Sequence, residues 1–232
     1  MGYNKISEIY DLFCDGFDYS HYLNRIFLKC SELPNKGLAL DCGCGTGSLM
    51  LELFKRGYDC SGVDSSLDML QICGNKLEEA GFSAHLINQE LNEIDLFGAY
   101  DLVFCSMDTV NHILNKRTLK QFFSRLYNFI EPNGYFIFDI KTKKAFEKIK
   151  ESQIYEKEED TLIIKGDFDG KNAFYDITAF IAENNDLYKK INEYVEERYY
   201  ENAEIKDMLD ILKYSFIEKI NYKDRTIFIY KK

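Results

Sequence analysis

The chain of 232 residues lacks the features that would point to several broad classes of function. It has no apolar run near the ~18 residues a membrane-spanning helix needs, so no membrane partner is expected. It lacks a basic excess: 39 Asp and Glu outnumber 29 Lys and Arg, for a net charge of −10. A phosphate-backbone partner calls for a basic surface, so nucleic acid is not expected either. There is no disulfide framework, because the seven cysteines are odd in number and include no Cys-x-x-Cys pair. They read as reduced, buried small residues. Cys42 and Cys44 have no matching second pair and no neighbouring His, which makes a poor zinc site, and no metal is expected. The polar start Met1-Gly-Tyr-Asn-Lys-Ile6 does not read as a signal peptide, so the expectation is a cytoplasmic protein. Apolar residues at 46% and charged residues at 29% are ordinary for a globular chain with one good core.

What the chain does have is a glycine-rich turn. Leu38-Ala-Leu-Asp-Cys-Gly-Cys-Gly-Thr-Gly47 reads as a buried strand running into a tight turn, and a helix is predicted from Ser48 to Arg56. Strand, turn and helix form the setting in which glycine loops bind nucleotides. Gly43, Gly45 and Gly47 permit positive φ and close approach of backbone to ligand. A dinucleotide fingerprint counted from Gly43 would put its third glycine at Ser48; here it comes one residue early, at Gly47. An acid, Asp41, ends the strand, and Asp64 closes the next apolar stretch, where a carboxylate can accept both ribose hydroxyls. The Asp-x-Gly-x-Gly-x-Gly pattern resembles motif I of the class I S-adenosylmethionine (SAM) methyltransferases.

Taken in order, the chain alternates strands and helices. Two short helices are predicted over Lys5 to Phe13 and Asp18 to Lys29, with Ile6, Ile9, Tyr10 and Phe13 on one face and Tyr22, Leu23, Ile26 and Phe27 on another. Tyr10 and Tyr19 either pack on the core or close over a ligand. Ser66 is a plausible N-cap for a helix to Glu79, with Leu67, Leu70 and Leu77 toward the sheet. Strands follow at Ser83 to Ile87 and Tyr100 to Cys105, then a helix from Lys116 to Ile130, a turn at Pro132-Asn-Gly134 and a strand from Tyr135 to Ile140. Five strands alternating with helices imply a mainly parallel, doubly wound sheet. Residues beyond strand ends lie along its ligand crevice, which makes Gln89, Glu90 and Leu91 candidates for the adenine. From about Lys150 the pattern becomes alternating, with hairpin signals at Asp169-Gly170 and Asn184-Asn-Asp186. Asp160 to Phe168, Asn172 to Glu183 and Leu187 to Tyr200 should form an inserted antiparallel sheet. A helix from Ala203 to Lys213 and strands at Phe216 to Tyr222 and Thr226 to Tyr230 close the chain.

Further motifs extend the resemblance over nearly the whole sequence. Asn4-Lys-Ile-x-x-Ile-Tyr-Asp11, Gly62-Val-Asp-x-Ser66 with Asp68-Met69, Pro132-x-Gly134, Phe138-Asp139, and Tyr188 with Glu196-Glu-Arg-x-Tyr200 resemble bacterial small-molecule methyltransferases with a β-sheet lid, among them amino-sugar N-methyltransferases. Gln89-Glu90 stands where that family commonly has Gln-Asp. The resemblance implies a Rossmann-like seven-stranded sheet whose last strand is antiparallel, formed by residues 1–149 and 202–232, with a lid over 150–201. It implies SAM as cofactor, S-adenosylhomocysteine as product, and a small-molecule acceptor methylated on N or O by in-line displacement. Cofactor contacts are expected from Tyr10, Tyr19, Asp41, Gly43, Gly45, Gly47, Asp64, Ser65, Met69, Gln89, Glu90, Leu91 and Ser106. With only Pro34 and Pro132, the chain has neither the Asx-Pro-Pro-aromatic motif nor the Pro-Cys of nucleic-acid methyltransferases.

Of the three histidines, His21 and His85 suit structural roles. His112 follows the fourth strand, near the expected methyl position, and an imidazole's ordinary titration near neutrality suits general base work. Asp108 is expected to bind an acceptor amine, orient His112 or cap the next turn. Glu197, Arg198, Tyr199 and Tyr200 are expected on the acceptor or on a solvated strand face. Two other readings stay open: a noncatalytic SAM-binding or partner-binding protein on this fold, and a protein or RNA methyltransferase.

Overall fold

The computed structural model describes Ser7, Tyr10, Asp11 and residues 17–183 and 187–232. Of the first predicted helix only Ser7, Tyr10 and Asp11 are described, each helical; Ile6, Ile9 and Phe13 lie outside the described residues, as does the turn at 184–186. The second predicted helix is α1, Tyr19–Lys29, capped by Asp18, whose side chain accepts from the His21 amide. There follow β1 (Leu38–Cys42), α2 (Ser48–Lys55), β2 (Asp59–Asp64), α3 (Leu67–Glu79), β3 (Leu86–Asn88), β4 (Tyr100–Cys105), α4 (Thr109–His112), α5 (Lys116–Leu126) and β5 (Ile130–Lys141). The chain continues through α6 (Lys143–Lys148), β6 (Gln153–Lys157), β7 (Asp160–Phe168), β8 (Asn172–Glu183), β9 (Leu187–Arg198), α7 (Asn202–Ile211), β10 (Ser215–Tyr222) and β11 (Arg225–Lys231).

Seven strands form one sheet in the order β10-β11-β5-β4-β1-β2-β3, in which β11 runs antiparallel to both its neighbours. The period of two along each strand sends its side chains alternately into two cores. Leu40, Val103, Cys105, Phe136, Phe138, Phe228 and Tyr230 face α5 and α7, while Ala39, Leu102, Phe104, Ile137, Ile227 and Ile229 face α1, α2 and α3. At ~1.5–3 kcal/mol for each large apolar side chain buried, these two layers, more than local propensity, fix the fold. The strand order reverses between β1 and β4, which opens a crevice beyond their C-terminal ends.

A second, four-stranded antiparallel sheet, β6-β7-β8-β9, lies between α6 and α7 in the chain. Its own core is Leu162, Phe168, Ala173, Tyr175, Ile177, Ala179, Ile191 and Val195, joined by Phe146 of α6. No helix among the described residues is long and apolar enough to cross a membrane.

Several boundaries differ from expectation. The third strand is confined to Leu86–Asn88, since only these residues pair with β2, although the His85 carbonyl still accepts from the Gly62 amide at 2.9 Å. Leu67 is 67% exposed because it is the first helical residue, and the buried face of α3 runs through Met69, Leu70, Cys73 and Leu77. The fifth helix tightens into a 3-10 turn at Tyr127–Phe129, and β5 starts at Ile130, with a register shift that absorbs Pro132-Asn-Gly134. The last strand of the second sheet ends at Arg198, and α6 and β6 were not expected.

Candidate active site

The glycine turn is fixed by the end of β2. The amides of Gly43 and Cys44 donate to the Val63 carbonyl at 2.7 and 3.1 Å, and Gly47 N–H closes the turn on the Cys44 carbonyl at 2.9 Å. The three glycines have φ of 74°, 51° and 79°, where side chains are strained. They serve different ends. A Cβ on Gly43 would collide with Thr109, and one on Gly47 with the Cys73 thiol, so those two glycines admit neighbouring elements. A Cβ on Gly45 would meet no protein atom within 4 Å. That glycine therefore keeps space clear on the wall of a cavity.

The cavity gathers Tyr10, Tyr19, Asp41, Gly43, Gly45, Asp64, Ser65, Met69, Glu90, Leu91, Ser106 and His112. Cys44, Thr46, Ser48, Leu49, Ser66, Met107, Thr109 and Ile113 also line it, and the sequence reading missed them. Thr46 and Ser48 lie in the turn itself and could have been taken with it. Met107 and Thr109 depend on the shape of the loop after β4, for which the sequence carries no signal. Gly47 and Gln89 are not among the lining residues; the Gln89 side chain brackets Asp95, accepting from the amide at 2.9 Å and donating to the carbonyl at 3.4 Å. Asp64 is held by its neighbours, with one oxygen accepting from Gly45 N–H and the other from Ser66 N–H, both at 2.9 Å. A carboxylate so used retains further lone pairs for a ligand. Asp41 is 3% exposed, and burial, with the nearby charge of Asp64, pushes its carboxyl up to about 8. Burial also pushes the Cys42 and Cys105 thiols well up, which leaves them unreactive.

Residues 39–134 match the model of a family described as a methyltransferase domain. The chain is 27% identical over 214 residues to a Bacillus subtilis (strain 168) protein named "Putative methyltransferase YqeM", covering 90% of this chain and 85% of that protein. A S-adenosylmethionine-dependent methyltransferase from Clostridium acetobutylicum ATCC 824 superposes with a TM-score of 0.86 at 25% identity, over 99% of this chain and 98% of that one. The chain carries a methyltransferase domain and is a SAM-dependent methyltransferase. The sugar N-methyltransferase KedS8 from Streptoalloteichus sp ATCC 53650 shares the fold at TM-score 0.81 and 16% identity, covering 100% of this chain and 94% of that one. The cavity of this methyltransferase has open space beside Gly45, and the carboxyl-bearing residues Asp41, Asp64 and Glu90 are among those that line it.

The opposite end of the methyltransferase cavity is built by buried charge. The loop leaving β4 puts two non-glycine residues at positive φ, Met107 at 58° and Asp108 at 69°, each at a cost of about 1–3 kcal/mol. Asp139 on β5 steadies that loop by accepting from the Met107 amide at 3.1 Å and the Asp108 amide at 3.4 Å. Asp139 also accepts from Tyr22 Oη at 2.8 Å and from Arg225 Nη1 at 3.1 Å. Burial, with Asp108 adding to it, pushes the Asp139 carboxyl up despite Arg225. Asp108 lies 3.0 Å from Lys141 Nζ and 3.1 Å from Arg225 Nη1. Burial alone would raise its carboxyl, but Arg225 and Lys141 outweigh it and hold it down at about 2. Asp108 is therefore a paired anion behind the cavity wall, a correction to its expected place beside the acceptor.

The four residues at Glu197 to Tyr200 need the same correction, because none lines the cavity. Glu197 is 1% exposed; both its oxygens accept from Lys141 Nζ at 2.8 Å and one from Tyr175 Oη at 2.9 Å. Its carboxylate stands 3.7 Å from His112 Nε2. Arg198 donates to the Leu114 carbonyl at 3.1 Å and lies over the Tyr200 ring, Tyr199 packs edge-on to Phe146, and Tyr200 Oη donates to the Ile113 carbonyl. With Asn111 Nδ2 donating to the Arg198 carbonyl at 2.7 Å, these bonds fasten β9 to the segment that carries His112. His21 bonds Tyr222 Oη at 3.0 Å, in keeping with a structural role.

Proposed function

We propose that the enzyme methylates a nitrogen or oxygen of a small-molecule acceptor, with His112 as the proton acceptor and the sheet over residues 150–201 as a lid on the core formed by 1–149 and 202–232. When bound, SAM supplies a methyl group on a sulfonium, which an acceptor lone pair displaces in line. The chain's own task is to align the acceptor, exclude water and take up the released proton. The observation that carries this reading is that His112 lines the cavity with a buried carboxylate, Glu197, 3.7 Å from its Nε2. Nδ1 lies 3.4 Å from the Glu196 carbonyl oxygen, and in the tautomer that donates its proton there Nε2 holds the lone pair that receives a proton. Around it three carboxylates, Asp108, Asp139 and Glu197, face two cations, Lys141 and Arg225. The bonds from β9 to α4 support the lid, since movement of the second sheet would be felt at His112. Among the described residues, six buried free thiols accord with a cytoplasmic setting.

The test begins with a panel of amines and alcohols, amino sugars included because KedS8 shares the fold. Methyl transfer would be followed by S-adenosylhomocysteine release. With an acceptor in hand, His112→Asn should lower kcat by ~10²–10⁴-fold while SAM affinity holds. A loss smaller than about threefold, well short of that range, would leave alignment alone as the mechanism. SAM binding without turnover on any acceptor would favour the noncatalytic reading.

A further inference from the structure

A second charged cluster sits on the outside of the cofactor end, and methyl transfer makes no use of it. Asp11 follows Tyr10, which lines the cavity, and its side chain reaches the glycine turn. Its Oδ1 accepts from Thr46 Oγ1 at 2.6 Å, and its Oδ2 lies 2.5 Å from Lys76 Nζ. Lys76, in the last turn of α3, also donates to Thr46 Oγ1 at 3.1 Å and to Ser48 Oγ at 2.9 Å. The Thr46 hydroxyl thus donates to the carboxylate and accepts from the ammonium, in the only polarity that satisfies all three groups. Thr46 is 3% exposed, whereas the Asp11 and Lys76 side chains are 41% and 23% exposed. The hydroxyl is locked inside, and the charges that grip it are open to solvent and ions.

Thr46 and Ser48 line the cavity at the turn, and Tyr10 lines it from the N-terminal segment. The cluster is therefore the polar tie between two walls of one cavity. We propose that Asp11, Thr46 and Lys76 form a clasp that holds Tyr10 closed over bound SAM and sets the lifetime of the cofactor complex. Asp11 and Lys76 are positioning residues: neither lines the cavity, and they act through Tyr10 and the turn. Release of SAM waits on opening of this wall, so the dissociation rate scales with the fraction of time the clasp is open. Salt, which screens half-exposed charges, opens it.

The experiment follows loss of tritiated SAM from the full-length protein after a chase with unlabelled SAM, and needs no acceptor. Asp11→Asn and Lys76→Met should each speed dissociation by roughly three- to tenfold, the range for a partly exposed pair with a shared hydroxyl. The double variant should release SAM no faster than the faster single one, because both break the same tie. Raising NaCl from about 0.05 to about 0.5 M should accelerate the wild type toward the variants and change the variants little. Melting temperatures without ligand should stay within a few degrees, which separates the clasp from a loss of folding. Asp11→Asn, nearly isosteric and on the surface, keeps the test decisive if Lys76→Met folds poorly. Unchanged rates in Asp11→Asn, or a double variant whose acceleration is the product of the two single ones, would overturn the proposal.

Discussion

The two ends of the cavity are held by different physics. At the cofactor end, the glycine turn after β1 and residues 64–66 build the wall from backbone amides, positive φ and the carboxyl groups of Asp41 and Asp64, all from two short stretches of chain. At the other end, Tyr22, Asp108, Asp139, Lys141, Tyr175, Glu197 and Arg225 come from six different elements and loops and hold one another by charge. The first end is steric and leaves space. The second fills space with compensated ions, and its members cannot be removed singly without stranding a partner in low dielectric. Changes at the turn should therefore cost binding and spare folding, whereas changes in the network should do the reverse.

The largest effect is expected at Gly45. Gly45→Val puts a branched side chain at φ 51° on the cavity wall, where no protein atom lies within 4 Å, so the side chain occupies the ligand's space. SAM binding should be abolished in calorimetry, with an unfolding transition still cooperative and lowered by no more than the ~1–3 kcal/mol of a strained backbone position. Unchanged affinity would mean that the turn does not receive the cofactor. The same substitution at Gly47, against Cys73, should cost folding first, and that contrast sharpens the comparison within one turn.

Next comes Arg225, the cation shared by Asp108 and Asp139. Arg225→Met keeps much of the side-chain volume but leaves buried Asp139 without a cation and Asp108 with Lys141 alone, for which ~3–5 kcal/mol of lost stability is the expected scale. Urea unfolding should show it, and SAM affinity measured below the transition should change far less. Equal losses of stability in Arg225→Met and Gly45→Val would remove the distinction between the two ends.

That distinction also explains what could be read from the sequence. The turn, Asp41, Asp64 and the strand-helix alternation were legible because each is a local pattern with a local physical reason: a glycine at positive φ, an acid at a strand end, a period of two or of 3.6. The charge network was not. Asp108 and His112 are four residues apart and suggested a pair, yet Asp108 is neutralised by Lys141 and by Arg225 from the far end of the chain. Glu197 read as a solvated or acceptor-facing acid because alternation along β9 could not show that Lys141 and Tyr175 would close over it. Helix α6 was missed because its six residues carry fewer than two periods, although its Phe146 anchors the core of the second sheet. Strand β6 is an edge with no buried face, so it had no alternation to find.

The smallest effect lies inside the cofactor end and concerns a proton. Burial and the charge of Asp64 raise the Asp41 carboxyl to about 8, so at pH 7 the ligand-free protein holds most of that proton. A cation arriving in the cavity favours the ionised form and drives the carboxyl back toward ordinary carboxylate behaviour. Binding must then release a proton, and affinity should rise with pH up to about 8 and level off above it. The slope is at most ~tenfold per pH unit, and less once the complex itself begins to titrate. Calorimetry at pH 7 in buffers of different ionisation enthalpy should give a SAM binding enthalpy that varies with the buffer, and Asp41→Asn should flatten that dependence. The same shift has an opposite sign for folding. The ligand-free folded state keeps a proton that the unfolded chain gives up, so stability should fall as pH rises from about 3.8 to about 8, and saturating SAM should cancel much of that fall. A wild-type enthalpy that does not depend on the buffer would show that Asp41 does not change its charge on binding, and the cofactor end would then be steric alone.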